Sequence, residues 1–194
     1  MNPLRRVLLI LLPLAALVGC GWDGLDGYAP LWVFDNFHTI EPDQAYRSAQ
    51  LDEPTLRGVL EDYGIRTVIN LRGENQHMPW YRWESAICAE LDVELVDIRM
   101  SASTLPPRDA LLQLYDTFQA AEYPILIHCR SGADRTGSAS AIWRMVVRGD
   151  DRAAAAAELS PCYGHFIGIN PAMDELVRIF QPDRDWIEHG YAEP

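Results

Sequence analysis

Apolar residues recur at helical spacing between Pro54 and Tyr63, where Gly64 ends the pattern, and a nearly continuous apolar run from Ile65 to Leu71 follows. The alternation then repeats. Trp80 to Leu91 has helical periodicity, Val93 to Ile98 is strand-like, Arg108 to Ala121 is helical, and Ile125 to His128 is a short apolar strand. Elements of this length in this order predict an α/β domain in which helices cross between neighbouring parallel strands. Beyond that strand the pattern is helical, over residues 136–147, 151–159 and 171–180. No internal repeat and no second domain interrupt it.

The junction between the last strand and the first of these helices reads His-Cys-Arg-Ser-Gly-Ala-Asp-Arg-Thr-Gly, residues 128–137. A loop that joins a buried strand to a helix N-terminus turns unpaired backbone N–H groups and the positive end of the helix dipole toward one point, which suits a tetrahedral dianion. Each residue type has a task there. Beside a helix N-terminus and a fixed guanidinium the Cys129 thiolate is favoured, which makes it a nucleophile at neutral pH. Arg135 returns to the same place and can grip two phosphate oxygens with its planar fork. Gly132 permits the bend that makes an anion nest of Arg130, Ser131, Gly132 and Ala133. Thr136, with Ser131 as a weaker candidate, is placed to hydrogen-bond the sulfur when it leaves, and His128 is expected to order the loop from behind rather than to carry a proton. A buried structural cysteine followed by a solvated arginine would need none of these companions.

These residues resemble the cysteine-dependent protein tyrosine and dual-specificity phosphatases, whose signature is His-Cys-x5-Arg-Thr/Ser. The stretch Asn36-Phe37 through Ala45-Tyr46-Arg47-Ser48-Ala49-Gln50, with Gly64 to Arg72 after it, is similar to the opening of the atypical plant- and fungal-type members and their bacterial relatives. The resemblance spans roughly residues 35–180. It implies a three-layer α/β fold with a central, mostly parallel sheet flanked by helices, and a reaction that runs through a phosphocysteine without metal or cofactor. A general acid must protonate the leaving oxygen, and two aspartates compete. Asp97 precedes Cys129 by 32 residues, a spacing similar to that of the mobile-loop acid in many dual-specificity phosphatases. Asp134 lies inside the signature, as in the Asp-Arg-Thr loops of myotubularins and some bacterial lipid and tyrosine phosphatases. Asp134 is preferred, because Asp97 falls close to the strand. Arg72 and Arg99 follow predicted strands and can reach the same face of the sheet.

The N-terminus carries a separate message. Arg5 and Arg6 precede an apolar stretch from Val7 to Val18 that is short for a membrane span and ends in Leu17-Val18-Gly19-Cys20. This resembles a bacterial lipoprotein signal. It implies cleavage after residue 19, a lipid on Cys20, a spacer to residue 34, and a phosphatase domain over 35–194 held on the outer side of a membrane in the cell envelope, in the periplasm by expectation.

Charge narrows the partners. The chain carries a formal net charge of −12, which disfavours nucleic acid and gives no general attraction to anionic lipid, so phosphate must be drawn by a local arginine cluster. All of its positive side chains apart from histidine are arginines. Cys88 and Cys162 stand outside the motifs, and a structural disulfide between them, capture of oxidised Cys129 by Cys88, and two buried thiols are all compatible with the sequence. No metal is assigned, since His38, His77, His165 and His189 show no ligand spacing. Trp80, Tyr81 and Trp83 are expected in the core or on a half-exposed helix face. The expected substrate is a phosphorylated protein or a small phosphomonoester, with inositol phosphates and phospholipid head groups also suited to the loop. A catalytically weak phosphate-binding lipoprotein is the alternative, and a rhodanese-like sulfurtransferase a more distant one.

Overall fold

The computed structural model of the protein describes residues 35–193; the lipoprotein signal, Cys20 and the spacer lie outside them. Five strands form one sheet: β1 (His38–Glu41), β2 (Ala45–Ser48), β3 (Thr67–Asn70), β4 (Glu94–Asp97) and β5 (Ile125–His128), in the order β1-β2-β5-β3-β4. Only the β1–β2 hairpin is antiparallel, and the other three pairings are parallel. Helices flank the sheet on both faces, the three-layer α/β arrangement expected from the alternating pattern.

The helices expected at 54–63, 80–91, 108–121 and 171–180 form to within one residue of those bounds. Helix α1 (Glu53–Asp62) starts with Pro54 in its first turn, and the Asp52 carboxylate accepts the Thr55 N–H at 3.0 Å, as an N-cap residue does. Helix α2 (Pro79–Glu90) and helix α3 (Arg108–Ala120) each bury one stripe, Tyr81, Glu84, Ile87 and Cys88 in the first and Ala110, Leu111, Leu114 and Phe118 in the second. Helix α4 (Asp134–Trp143) is different. Its residues from Thr136 to Trp143 are all buried, among them Ser138 and Ser140, so it runs through the interior with no solvated face of its own. The chain continues through a π-turn at Arg144–Arg148, the short helix α5 (Arg152–Ala155), two 3-10 turns (Ala156–Glu158 and Pro161–Tyr163), helix α6 (Pro171–Ile179) and a second π-turn at Trp186–Gly190.

Side-chain alternation in the strands divides the core. Ile125 and Ile127 of β5, with Ile69 and Leu71, face α3, α4 and α6 in one apolar cluster that also holds Cys129. Val68 and Leu126 face α1 and α2 in the other, which holds Cys88. The two faces of β5 therefore serve different layers. Two expectations are revised. The hairpin of β1 and β2 was not foreseen in residues 38–48, and the predicted helix 151–159 is one turn of α-helix followed by a 3-10 turn.

Candidate active site

Strand β5 is paired on both edges, with β2 and with β3, and its register brings His128 level with Ser48 and Asn70. The chain thus leaves the centre of the sheet at Cys129, enters the loop 129–133, and begins α4 at Asp134. The bend needs glycine twice over. Gly132 has φ +71°, and a Cβ there would meet the Ala49 nitrogen at 2.7 Å and the Ser48 carbonyl carbon at 2.8 Å. The loop is pinned from outside by groups far away in sequence. The Arg47 guanidinium, fully buried, donates to the Gly132 carbonyl at 2.7 Å through Nη2 and to Glu158 Oε2 at 2.7 Å through Nη1, and it lies 3.9 Å over the Tyr163 ring. Asn36 donates from Nδ2 to the carbonyls of Ser131 and Tyr163, both at 2.9 Å.

Cys129 is 1% exposed. Burial pushes its thiol up, but the Thr136 hydroxyl, the Arg135 guanidinium and the backbone N–H groups of Thr136 and Ser131 outweigh burial and hold it below its ordinary value. The Thr136 hydroxyl is buried with no other hydrogen-bond partner, so it is kept for the sulfur. Arg135 is anchored by Nη1 donating to the Leu71 and Met100 carbonyls, each at 3.3 Å, while its buried Nε has no partner in the protein. A guanidinium edge left unsatisfied beside a thiolate is a ready place for an oxyanion.

Behind the loop lies a buried polar chain. His128 Nε2 is 3.1 Å from Glu84 Oε1, a charge pair short of an aligned hydrogen bond, with both side chains 2% exposed or less. Burial alone would lower His128 and raise Glu84; their mutual attraction reverses both, so the histidine titrates above and the glutamate below its ordinary value. Gln50 donates to Glu84 at 2.9 Å, accepts from Arg72 Nη1 at 2.7 Å, and gives its own N–H to the Arg130 carbonyl at 3.2 Å. Arg72 in turn lies 3.4 Å over the Trp80 ring. Burial first, then repulsion from Arg135 and Arg130, holds its pKa below the usual guanidinium value. Arg72, Arg130 and Arg135 thus form a local positive cluster in an acidic molecule, one that a phosphate dianion would relieve. Arg99 does not join it, since its guanidinium donates to the Glu74 carbonyl at 2.6 Å.

The two candidate acids sit in contrasting places. Asp97 is the last residue of β4, and its oxygens accept from Asn70 Nδ2 at 2.7 Å and from the Tyr81 hydroxyl. Asp134 opens α4 from within the loop. Its Oδ1 is 2.7 Å from His165 Nδ1 and its Oδ2 accepts from Asn170 Nδ2 at 2.8 Å, while the other nitrogen of the buried His165 ring faces Asp174 Oδ1 at 3.1 Å.

Arg47, Gln50, Glu84, His165 and Asn170 were missed as supports of the loop. Arg47 and Gln50 stood within the stretch that carried the resemblance, which was the available signal; the others are set by tertiary contacts alone. Trp80 proves to be the platform for Arg72. Cys88 is a buried free thiol, which excludes a Cys88–Cys162 disulfide, and it lies across the sheet from Cys129. Among the described residues no group of three or more His, Cys, Asp or Glu is arranged to hold a metal ion.

Comparison with known proteins agrees with this geometry. Residues 35–169 match the family described as DSP-PTPase phosphatase fused to NAD+ kinase. The dual specificity protein phosphatase TpbA of Pseudomonas aeruginosa is 29% identical over 126 residues, 64% of this chain and 53% of TpbA, so the chain spans about half the length of that curated relative. A crystal structure of P. aeruginosa TpbA superposes with a TM-score of 0.62 at 25% identity, covering 80% of this chain and 90% of the other. The same protein has been solved as a Cys-to-Ser variant in complex with phosphotyrosine, with a TM-score of 0.61. The catalytic core of the PP-IP phosphatase SIW14 from S. cerevisiae, solved with citrate, shares the fold with a TM-score of 0.64 at 18% identity, over 80% of this chain and 93% of that one.

Proposed function

This chain belongs to the DSP-PTPase phosphatase family, and from that premise we propose that it hydrolyses phosphomonoesters through a phosphocysteine on Cys129. The observation that carries the reading is a buried cysteine whose thiolate is favoured, set against the unpartnered edge of Arg135, the Thr136 hydroxyl and the backbone N–H groups of Ser131 and Thr136. In the first step the Cys129 sulfur attacks phosphorus, the P–O bond to the substrate breaks, and the leaving oxygen takes a proton from Asp134. Arg135 and the amides of residues 130–133 hold the equatorial oxygens as charge moves onto them. In the second step water, giving a proton back to Asp134, attacks phosphorus; the S–P bond breaks, and the Thr136 hydroxyl stabilises the departing thiolate. Asp134 is assigned as the acid because it stands in the signature loop beside Arg135, whereas Asp97 ends strand β4; both carboxylates have both oxygens engaged, so hydrogen bonding does not separate them. His128 and Glu84 position the loop and take no proton from the substrate.

Phosphotyrosine in proteins is the first substrate class to test, supported by the TpbA complex, with inositol phosphates and phospholipid head groups next. The N-terminal signal supports lipid attachment at Cys20 and an extracytoplasmic domain. The deciding experiment is hydrolysis of an aryl phosphate by the reduced full chain beside its Cys129→Ser form. Turnover that disappears in the variant, with phosphate-analogue binding retained, is the expected result; no turnover in the parent chain would put the phosphate-binding alternative in its place.

A further inference from the structure

Three of the large apolar side chains exposed among the described residues stand together. Phe166, Ile167 and Ile169 are 52%, 87% and 69% exposed, and they occupy one tight turn in which the Ile169 N–H donates to the Phe166 carbonyl at 3.1 Å and Gly168 has φ +89°. The turn is fastened on both sides to the active-site loop. His165, just before it, and Asn170, just after it, reach the two oxygens of Asp134. The other end of the domain's tether is close by: Asn36, at the start of the described residues, binds the carbonyls of Ser131 in the loop and Tyr163 ahead of the turn. If Cys20 carries lipid, residues 21–34 can extend at most about 50 Å at ~3.5 Å per residue, and the described domain begins, at Asn36, beside the loop and the segment that leads into the turn.

We infer that the Phe166–Ile169 turn is a bilayer-contacting element, which seats the tethered domain with its Cys129 loop facing the membrane and favours phosphomonoesters displayed at the lipid surface. The inference rests on the phosphatase and lipid-anchor readings. Three apolar side chains on one turn are too small a patch for a stable protein interface and suffice for shallow insertion when an anchor already supplies the local concentration. Ile167 also lines a hollow of about 450 Å³ with Ala153, Ala156, Leu159 and Val177, and with the charged Arg152, Asp174 and Arg178, so an acyl chain that meets the turn finds some apolar surface behind it. The acidic net charge assigns the contact to apolar burial rather than to anionic head groups.

The test uses the full chain in phosphatidylcholine vesicles whose acyl chains are brominated. The fluorescence added by Ile167→Trp should be quenched at least twofold more than that added by Val147→Trp, an exposed apolar position elsewhere. With Phe166, Ile167 and Ile169 all changed to Ser, turnover of a soluble aryl phosphate should stay within about twofold, while turnover of a long-chain alkyl phosphate in the vesicles should fall at least tenfold. Equal quenching at the two positions overturns the inference. So does an equal loss on both substrates, or a loss confined to a soluble phosphopeptide, which would make the turn a peptide-docking element. Failure of the parent readings is separately visible. A chain that hydrolyses no phosphate ends the phosphatase reading while the quenching comparison still decides the docking; a mass showing Cys20 without lipid ends the anchor reading and, with it, the docking that depends on the anchor.

Discussion

Two free thiols in this protein are equally buried, each 1% exposed, and chemically opposite. Cys88 lies on α2 against the α1 side of the sheet, where burial, reinforced by the negative charges of Glu84 and Asp97, pushes its pKa up to about 12. Cys129 lies one position beyond β5, where a hydroxyl, a guanidinium and two backbone N–H groups outweigh burial and hold its pKa down. Desolvation alone therefore does not make a cysteine inert. What separates the pair is whether the chain turns donors or carboxylates toward the sulfur.

The most drastic way to break the contrast is to remove the activated sulfur. Cys129→Ser should lower aryl phosphate turnover by at least about 10³-fold, whereas Cys88→Ala should leave it within a few-fold; iodoacetamide at neutral pH should label Cys129 and spare Cys88 until the protein unfolds. Next in size is the scaffold of the loop. Arg47→Ala takes from the buried Glu158 the nearer of its two arginine partners, leaving Arg144 at 3.3 Å, and frees the Gly132 carbonyl, so it should cost about 3 kcal/mol in denaturant melts, the low end for a broken buried pair, and move Cys129 alkylation toward higher pH. A destabilised variant whose alkylation profile is unmoved would separate the fold from the thiol. Thr136→Val removes one donor and keeps the shape. Turnover should fall about tenfold or somewhat more, the worth of a hydrogen bond to a charged group, and the alkylation midpoint should rise.

The smallest effect concerns the charge pair behind the loop. His128 is raised, so its contribution to stability is full below 6.5 and disappears as pH rises through its folded value; Glu84 is lowered, so its contribution is full above 4.5 and disappears as pH falls. Glu84→Gln should therefore destabilise most between about pH 4.5 and 6.5, by on the order of 1–3 kcal/mol, with the difference from the parent chain shrinking above that window. A constant difference across pH 5–9 would mean that the two side chains are neutral partners.

Much of this was legible from residue patterns where local and global preferences agree. Helix α1 announced its bounds through Pro54 and Gly64, and β5 through an apolar run closed by His128 and bracketed by Pro124. The hairpin was hidden because His-Thr-Ile-Glu and Ala-Tyr-Arg-Ser lack clean alternation, and the link between them turns at Asp43 with a positive φ that its sequence does not demand. Cys129, Arg135 and Thr136 could be read because one loop carries them all. Their supports could not. Asn170 reaches Asp134 across 36 positions and Glu158 reaches Arg47 across 111, so no local spacing records either contact. The turn at 166–169 was invisible for another reason: a short apolar run holding one glycine predicts burial, and only the fold leaves it outside.

The strand order has a consequence for how the reactive thiol comes into being. Strands β2 and β3 pair with β5 and not with each other, so the hairpin of residues 38–48 and the β3–α2–β4 unit share no strand ladder until residues 125–128 arrive between them. The segment that completes the sheet is the one that delivers Cys129 to its loop. Before that moment the cysteine is an ordinary thiol on an unfinished chain; during synthesis, nucleophilic power and structural completion arrive in the same event.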